Sequence, residues 1–367
     1  MRTIVAELGT EREADGEYLC AETVVIQDVP VHIAMIRVPE GLHPVRRSDS
    51  DVLLRVHAFS LNYRDRAVVL SGFTINGLRP SRGIGSEFVA SVVEAGAAVT
   101  DLAVGDRVVA QMGWPGPPTG EIVGGVPTNE ASREYLCLDR RQLMRIPDDM
   151  PLETAAAFSL GAQTAFGMVR RLNLEPGAKV LLTAATSNTS LAALRVLRTR
   201  GARVFALTQT LSSAPKLIDL GAERVLGFNP EDGHRVIAAL ANEIGGLDAV
   251  IDPFTDVYLP HIVGGLRYFG TYVTCGLAGQ ARHGTSPDPH SLMPWAALAP
   301  RLIERNVTIV GNCLGTYQDL QCAMEEWSVG RYDVAIDSVF TGQDIGAFVH
   351  RTFNAPERFG KVVYKYE

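Results

Sequence analysis

The sequence predicts a two-part α/β protein, with a β-rich unit first and a parallel, doubly wound sheet after it. Three observations carry this. Short apolar runs separated by turn signals fill the first 150 residues. From Leu152 onward, strand-type and helix-type segments alternate with a unit of about 20–25 residues, the βαβ rhythm. Glycines stand where helical runs end, at Gly201, Gly221 and Gly245.

In chain order, strands are expected at Val31–Val38, Val52–Ser60, Glu87–Glu94, Arg107–Met112 and Glu134–Leu138. Gly105-Asp106 marks a tight turn before the fourth. Many short strands with irregular spacing suggest a small barrel or bent sheet. A Pro/Gly-rich stretch around Trp114 reads as a surface loop or as the wall of a substrate pocket. Glu153–Leu172 reads as a helix and Lys179–Thr183 as a buried strand. Leu191–Thr199 places Leu191, Leu194 and Leu197 on one helical face. Strands follow at Arg203–Leu207, Val225-Leu226, Asp248–Asp252 and Thr271–Thr274, with helices at Ala214–Leu220 and His234–Ile244 between them. The tail, from about Gln318, offers a helix, the strand Ile336–Phe340, a second helix and an apolar end.

Composition narrows the function. At 367 residues, 46% hydrophobic and 20% charged, the chain has material for two globular cores. A net charge of -7 argues against nucleic acid or acidic membrane as partners. No apolar run approaches the roughly 18–20 residues of a membrane span. The start does not read as a signal peptide. Five scattered cysteines without a C-x-x-C suggest reduced thiols and a cytoplasmic setting.

The first strand–turn–helix of a doubly wound sheet is the usual pyrophosphate site, because backbone N–H groups and a helix N-terminus favour an anion. Here it reads Thr183-Ala184-Ala185-Thr186-Ser187-Asn188-Thr189-Ser190, without the usual glycines. Ser187, Asn188 and Thr189 are the candidate phosphate contacts. A side chain at a positive-φ position costs about 1 kcal/mol or more, so the turn either takes another path or binds less tightly. The second strand ends in Leu207-Thr208-Gln209, with no acid to bind a ribose 2′-OH. Thr208 and Gln209 are therefore candidate cofactor contacts, and NADP(H) is favoured over NAD. Arg203 and Lys216 are candidate partners of a 2′-phosphate.

The order of several segments resembles the medium-chain dehydrogenase/reductase superfamily. They are Ser60–Asp65, Glu87–Val104 with Gly105–Val108, Arg145-Ile146-Pro147, Ala155–Ala157 with Thr164-Ala165, Pro176–Leu181 and Arg358–Val363. The resemblance implies a GroES-like catalytic domain of residues 1–152 and 318–367, and a Rossmann domain of residues 153–317. Leu61-Asn62-Tyr63-Arg64-Asp65 resembles the zinc-independent quinone reductase and enoyl reductase branch. Gly85-Ser86-Glu87 stands where zinc enzymes of the superfamily carry Gly-His-Glu, and no Cys lies in Asn62–Asp65. No zinc and no other metal is expected.

The resemblance further implies a nicotinamide passing hydride to an electron-poor carbon of a small molecule. Asn62, Tyr63 and Arg64 would line that site, with Tyr63 as proton donor or enolate-binding hydroxyl. Asp65 would hold the motif loop. Thr164 would lie near the nicotinamide, Lys361 would approach the cofactor phosphates, and the turns at Cys275, Leu277 and Cys313 would meet the carboxamide. Related enoyl reductases often place a tyrosine where this chain has Phe73, followed by Thr74. An NADPH-dependent reductase of an activated C=C or quinone-like substrate is one reading. A reductase-like protein that binds a small molecule, catalyses a non-redox step or acts as an accessory factor is a second, and a carbonyl/alcohol dehydrogenase is a third. A homodimer through the edge strand Asn306–Gly311 is also implied.

Overall fold

The computed structural model describes residues 1–8, 14–70, 82–115, 122–281 and 295–367. Phe73 and Thr74 lie outside the described residues, as do residues 116–121 of the stretch around Trp114. The chain divides into two compact units, Met1–Leu160 with Ile336–Glu367, and Gly161–Ala335.

In the first unit the strand Asp51–Ser60 is the hub. Its side chains alternate between buried and partly exposed before the fully buried end Ala58-Phe59-Ser60, which suits a strand entering a core. It pairs antiparallel with Glu87–Ala95, with Tyr135–Asp139 and with the terminal strand Lys361–Lys365. The last of these brings Val363 opposite Ser60. Ile336–Thr341 extends this sheet in parallel beside Lys361–Lys365. Phe59, Phe348 and Tyr364 fill the space beneath, with ring centroids 5.4–5.6 Å apart. A second sheet places Arg2–Leu8 between Val29–Arg37 and Arg82–Gly83, with Glu17–Ile26 outermost. The sequence reading did not include Arg2–Leu8 or Glu17–Ile26.

The second unit holds six parallel strands. In spatial order they are Arg224–Gly227, Arg203–Thr208, Lys179–Leu182, Leu247–Asp252, Leu266–Thr274 and Thr308–Gly311. This is the 3-2-1-4-5-6 order of the dinucleotide-binding doubly wound fold. The strand order reverses between Lys179–Leu182 and Leu247–Asp252. The ligand crevice of such a sheet opens there, beyond the carboxyl ends. Gly201 and Gly245 end their helices in the left-handed region, at φ 71° and 77°.

Two expectations shift. The helix expected over Glu153–Leu172 is two, Leu152–Ala156 and Ser159–Leu172. Ala157, at φ -117° and ψ 5°, leaves helical geometry between them. The boundary expected at 317/318 falls at 335/336 instead, because the helix Tyr317–Ser328 is tied to the parallel-sheet unit. Asp319 accepts from Arg170 Nε at 2.8 Å and Nη2 at 3.0 Å, and from the Thr316 amide and hydroxyl at 2.8 Å each. Gln163 donates to the carbonyls of Gly315 and Thr316.

Burial alone raises the Asp319 carboxyl, but the Arg170 and Thr316 donors outweigh it and hold the group below its ordinary value. Its stabilisation is therefore present above the unfolded carboxylate pKa of about 4 and is lost as pH falls through the lower, folded value. Asp319→Ala is expected to cost about 1–2 kcal/mol near neutral pH, chiefly as a lost cap because Arg170 is half exposed. Urea unfolding at pH 7 and pH 3 checks this, since the difference between variant and parent should shrink at the lower pH.

Candidate active site

In the first unit the motif Asn62–Asp65 leads into the helix Tyr63–Leu70. Asp65, almost fully buried, takes the Asn62 amide on Oδ2 at 2.7 Å and the Ser86 hydroxyl at 2.9 Å. Its Oδ1 takes Arg64 Nη1 at 2.8 Å. Desolvation raises this carboxyl, with Arg64 and the hydrogen bonds opposing. Asp65 thus closes the turn at the helix start.

Beside it lies a buried cation. Lys361 is 1% exposed. Its Nζ donates to Glu87 Oε2 and Asn62 Oδ1 at 2.6 Å, and to Ser60 Oγ at 3.1 Å, with the Leu61 carbonyl at 3.4 Å. Glu87 is 0% exposed. Its other oxygen accepts the Leu160 amide at 2.7 Å. Gly85 makes the approach possible. It sits at φ 92°, and a Cβ there would meet Phe59, Leu61 and Ala131 side chains at 3.2–3.3 Å.

The sequence-derived residues of this motif fare differently. The Asn62 amide turns inward, its nitrogen reaching Ser86 and Glu87 at 3.3 Å and its oxygen held by Lys361. Arg64 is anchored by Asp65 and by Asn129 Oδ1 at 2.8 Å. Tyr63 is half-buried, with the Arg66 guanidinium 4.0 Å from its ring centroid and donating to its hydroxyl oxygen. The expected phosphate contact of Lys361 does not suit its surroundings. A buried ammonium with three donors and four oxygen neighbours has none to spare. The role of Glu87 as its counter-ion was missed, although Glu87 stands in the quoted Gly85-Ser86-Glu87.

Those surroundings also bear on zinc. Asn62, Ser86 and Glu87 offer an amide, a hydroxyl and a carboxylate in place of thiolate and imidazole. The carboxylate is already neutralised by an ammonium, and a second cation beside it would be repelled. Among the described residues no group of three or more His, Cys, Asp or Glu is placed to hold a metal ion.

In the second unit the turn after Lys179–Leu182 is stitched by side chains. The Thr183 hydroxyl donates to Asp252 Oδ1 at 2.6 Å. Ser190 donates to the Thr183 carbonyl at 2.7 Å. Ser187 caps the helix Asn188–Thr199, accepting the Ser190 amide at 3.3 Å and donating to its hydroxyl at 3.0 Å. Ala184 sits at φ 42°, a conformation that glycine adopts freely. The Asn188 side chain lies against Gly161, where an added Cβ would collide with it. The first-turn amides of Asn188 and Thr189 have no intrahelical acceptor and are the natural anion donors.

Thr208 is buried at the carboxyl end of Arg203–Thr208 and accepts the Thr210 amide at 3.0 Å; Gln209 beside it is exposed. Arg203 is at the opposite, amino end of that strand, paired with Glu223 at 2.7 Å. It is therefore misplaced for a 2′-phosphate, whereas Lys216 follows the carboxyl end on Ala214–Asp219. Thr164 is buried in Ser159–Leu172. Cys275, Leu277 and Cys313 follow the carboxyl ends of their strands. Desolvation pushes the Cys275 thiol up to about 12, so it is no nucleophile near neutral pH. Among the described residues no helix is long and apolar enough to cross a membrane.

Residues 48–148 match the family model for the alcohol dehydrogenase GroES-like domain, and residues 189–328 that for zinc-binding dehydrogenase. A polyketide synthase, GfsB of Streptomyces halstedii, is 30% identical over 67% of this chain, a stretch that makes up 4% of the synthase. The chain thus spans a small fraction of that relative. Quinone oxidoreductase-like protein 2 of Bos taurus is 26% identical over 91% of this chain and 88% of its own length. The crystal structure of an NAD-dependent alcohol dehydrogenase superposes with a TM-score of 0.75 at 23% identity, covering 100% of this chain and 99% of that one. That likeness concerns the fold.

Two measurements check this geometry. Lys361→Met leaves Glu87 buried and uncompensated, at an expected cost of about 3–5 kcal/mol. Adding Glu87→Gln should recover part of that loss in a double-mutant cycle, and additive losses would contradict the pair. Ala184→Gly relieves the left-handed strain and is expected to stabilise the protein by about 0.5–1 kcal/mol in chemical denaturation.

Proposed function

The chain belongs to the medium-chain dehydrogenase/reductase superfamily, and from that premise we propose that it is a zinc-independent, NADPH-dependent reductase of an activated C=C or quinone-like small molecule. The observation that carries this reading is the Lys361 ammonium bound to Glu87 and Asn62, where a metal centre would need free ligands. The family's nicotinamide, when bound, supplies a hydride. The Asn188 and Thr189 amides would hold its pyrophosphate. Lys216 would meet the 2′-phosphate, in a stretch from Thr208 to Ser213 that carries no acid to repel it.

On the substrate side Tyr63 would give a proton or a hydrogen bond to the oxygen that gathers charge. Arg66, donating to the phenolic oxygen, offsets the negative charge left when that proton departs. Asn62 acts by fixing the turn rather than by touching substrate, since its amide is committed inward. Arg64 is held by Asp65 and Asn129.

The absence of glycines from Thr183–Ser190 favours a second reading, a reductase-like protein that binds a small molecule without hydride transfer. Titration with NADPH and NADH separates the two, and no binding at millimolar concentration sinks the first. Lys216→Ala is expected to weaken NADPH about tenfold while leaving NADH little changed. Tyr63→Phe should lower kcat, and an unchanged kcat removes Tyr63 from the mechanism. The strand Thr308–Gly311 is the sheet's edge, and we read it as the contact of a homodimer, which light scattering in solution tests.

A further inference from the structure

We propose that Asp252 is a positioning residue for the dinucleotide: its carboxyl fixes the Thr183–Ser190 turn, and its charge sets how tightly that turn holds phosphate. The proposal rests on the dinucleotide reading above. It concerns a buried acid for which the hydride-transfer scheme has no use.

Asp252 ends the strand Leu247–Asp252, directly across the point where the strand order reverses. It is 0% exposed. Oδ1 accepts the Thr183 hydroxyl at 2.6 Å and the Phe254 amide at 2.8 Å, and Oδ2 accepts the Tyr272 hydroxyl. Thr183 is the last residue before the positive-φ Ala184, which packs against the buried cluster that includes Tyr258 and Leu259. The path of the turn is thus dictated from the neighbouring strands and from the helix Thr255–Ile262.

A buried carboxylate normally has a cation beside it. Among the described residues, the titratable groups that face Asp252 are Asp256 and Tyr258 on that helix, Tyr272 on Leu266–Thr274, and Cys275 just beyond it. None is cationic. Desolvation pushes the Asp252 carboxyl up to about 6, with the Thr183, Tyr272 and Phe254 donors opposing. Its charge state therefore changes near pH 6.

Two effects of ionisation compete. The carboxylate accepts its three hydrogen bonds more strongly, and it repels phosphate next to Thr183. The stronger hydrogen bonds exist with or without the cofactor and largely cancel from its affinity. The repulsion exists only in the complex, so it decides the sign. Dinucleotide affinity should fall as pH rises through about 6.

The test is NADP⁺ binding by intrinsic fluorescence or calorimetry from pH 5 to 8, on the wild-type protein and on Asp252→Asn. Thermal unfolding verifies that the variant folds. The substituted amide keeps the size and loses the charge. The ratio of the two Kd values should be near one at pH 5 and rise to about tenfold at pH 8 if phosphate shifts the carboxyl by one pKa unit. The titration of the 2′-phosphate itself cancels in that ratio. A flat ratio with both proteins binding overturns the proposal and leaves the dinucleotide reading intact. No binding by either protein overturns both. If Asp252→Asn does not fold, Tyr272→Phe replaces it. Removing one donor from the carboxylate should move the pH step upward, and a step that stays in place overturns the proposal.

Discussion

The ion pair between Lys361 and Glu87 is the constraint on which the first unit depends. Both partners are buried, and the Lys361 ammonium also bonds Ser60 and Asn62. Such a pair gains little net energy over a well-packed apolar core, but it strongly penalises any arrangement that separates its members. It therefore specifies register. Only when Lys361–Lys365 lies antiparallel to Asp51–Ser60, with Val363 opposite Ser60, does the ammonium reach Glu87. The chain must return after the whole parallel sheet is made before its first unit is complete. The motif Asn62–Asp65 inherits its order from this closure, because Asn62 is held from one side by Asp65 and from the other by Lys361.

Much of the fold was legible because burial leaves periodic marks. Five of the six strands of the second unit and the glycines ending its helices could be read from apolar runs and turn residues, whereas the edge strand Thr308–Gly311 was expected only from the family resemblance. Glu17–Ile26 could not, because its outward positions are exposed and mixed in polarity, and the tight turn Gln27-Asp28 that joins it to Val29–Arg37 takes positive φ at both residues without the glycine or asparagine that would signal it. The helix Tyr317–Ser328 was legible as a helix but not as a member of the second unit. Its allegiance is set by Asp319 and Arg170, 149 positions apart. The site followed the same rule. Asn62 to Asp65 were found as a local motif, whereas Lys361 was found without its partner and Asp252 was read only as the end of a strand. A buried charge is recognised by what surrounds it, and that is fixed by tertiary structure.

Both units are fixed in the same way, by internal hydrogen bonds to a buried acid. In the first, an ammonium supplies the positive charge beside Glu87. In the second, hydroxyls occupy a turn that glycines usually form. Ala184 costs about 1–2 kcal/mol in a left-handed conformation. The bonds from Thr183 to Asp252, from Ser190 to Thr183 and between Ser187 and Ser190 each contribute about 0.5–1.5 kcal/mol in return. The two sums are comparable, so the turn is held in place rather than collapsed. The side chains of Thr183, Ser187 and Ser190 turn inward to do this, and the first-turn amides of Asn188 and Thr189 are left without an intrahelical acceptor. A turn built this way keeps the anion-binding dipole of the helix while making its shape depend on Asp252. Loss of the glycines is thus no argument by itself that the dinucleotide has been lost; it transfers control of the site from backbone freedom to a buried carboxyl.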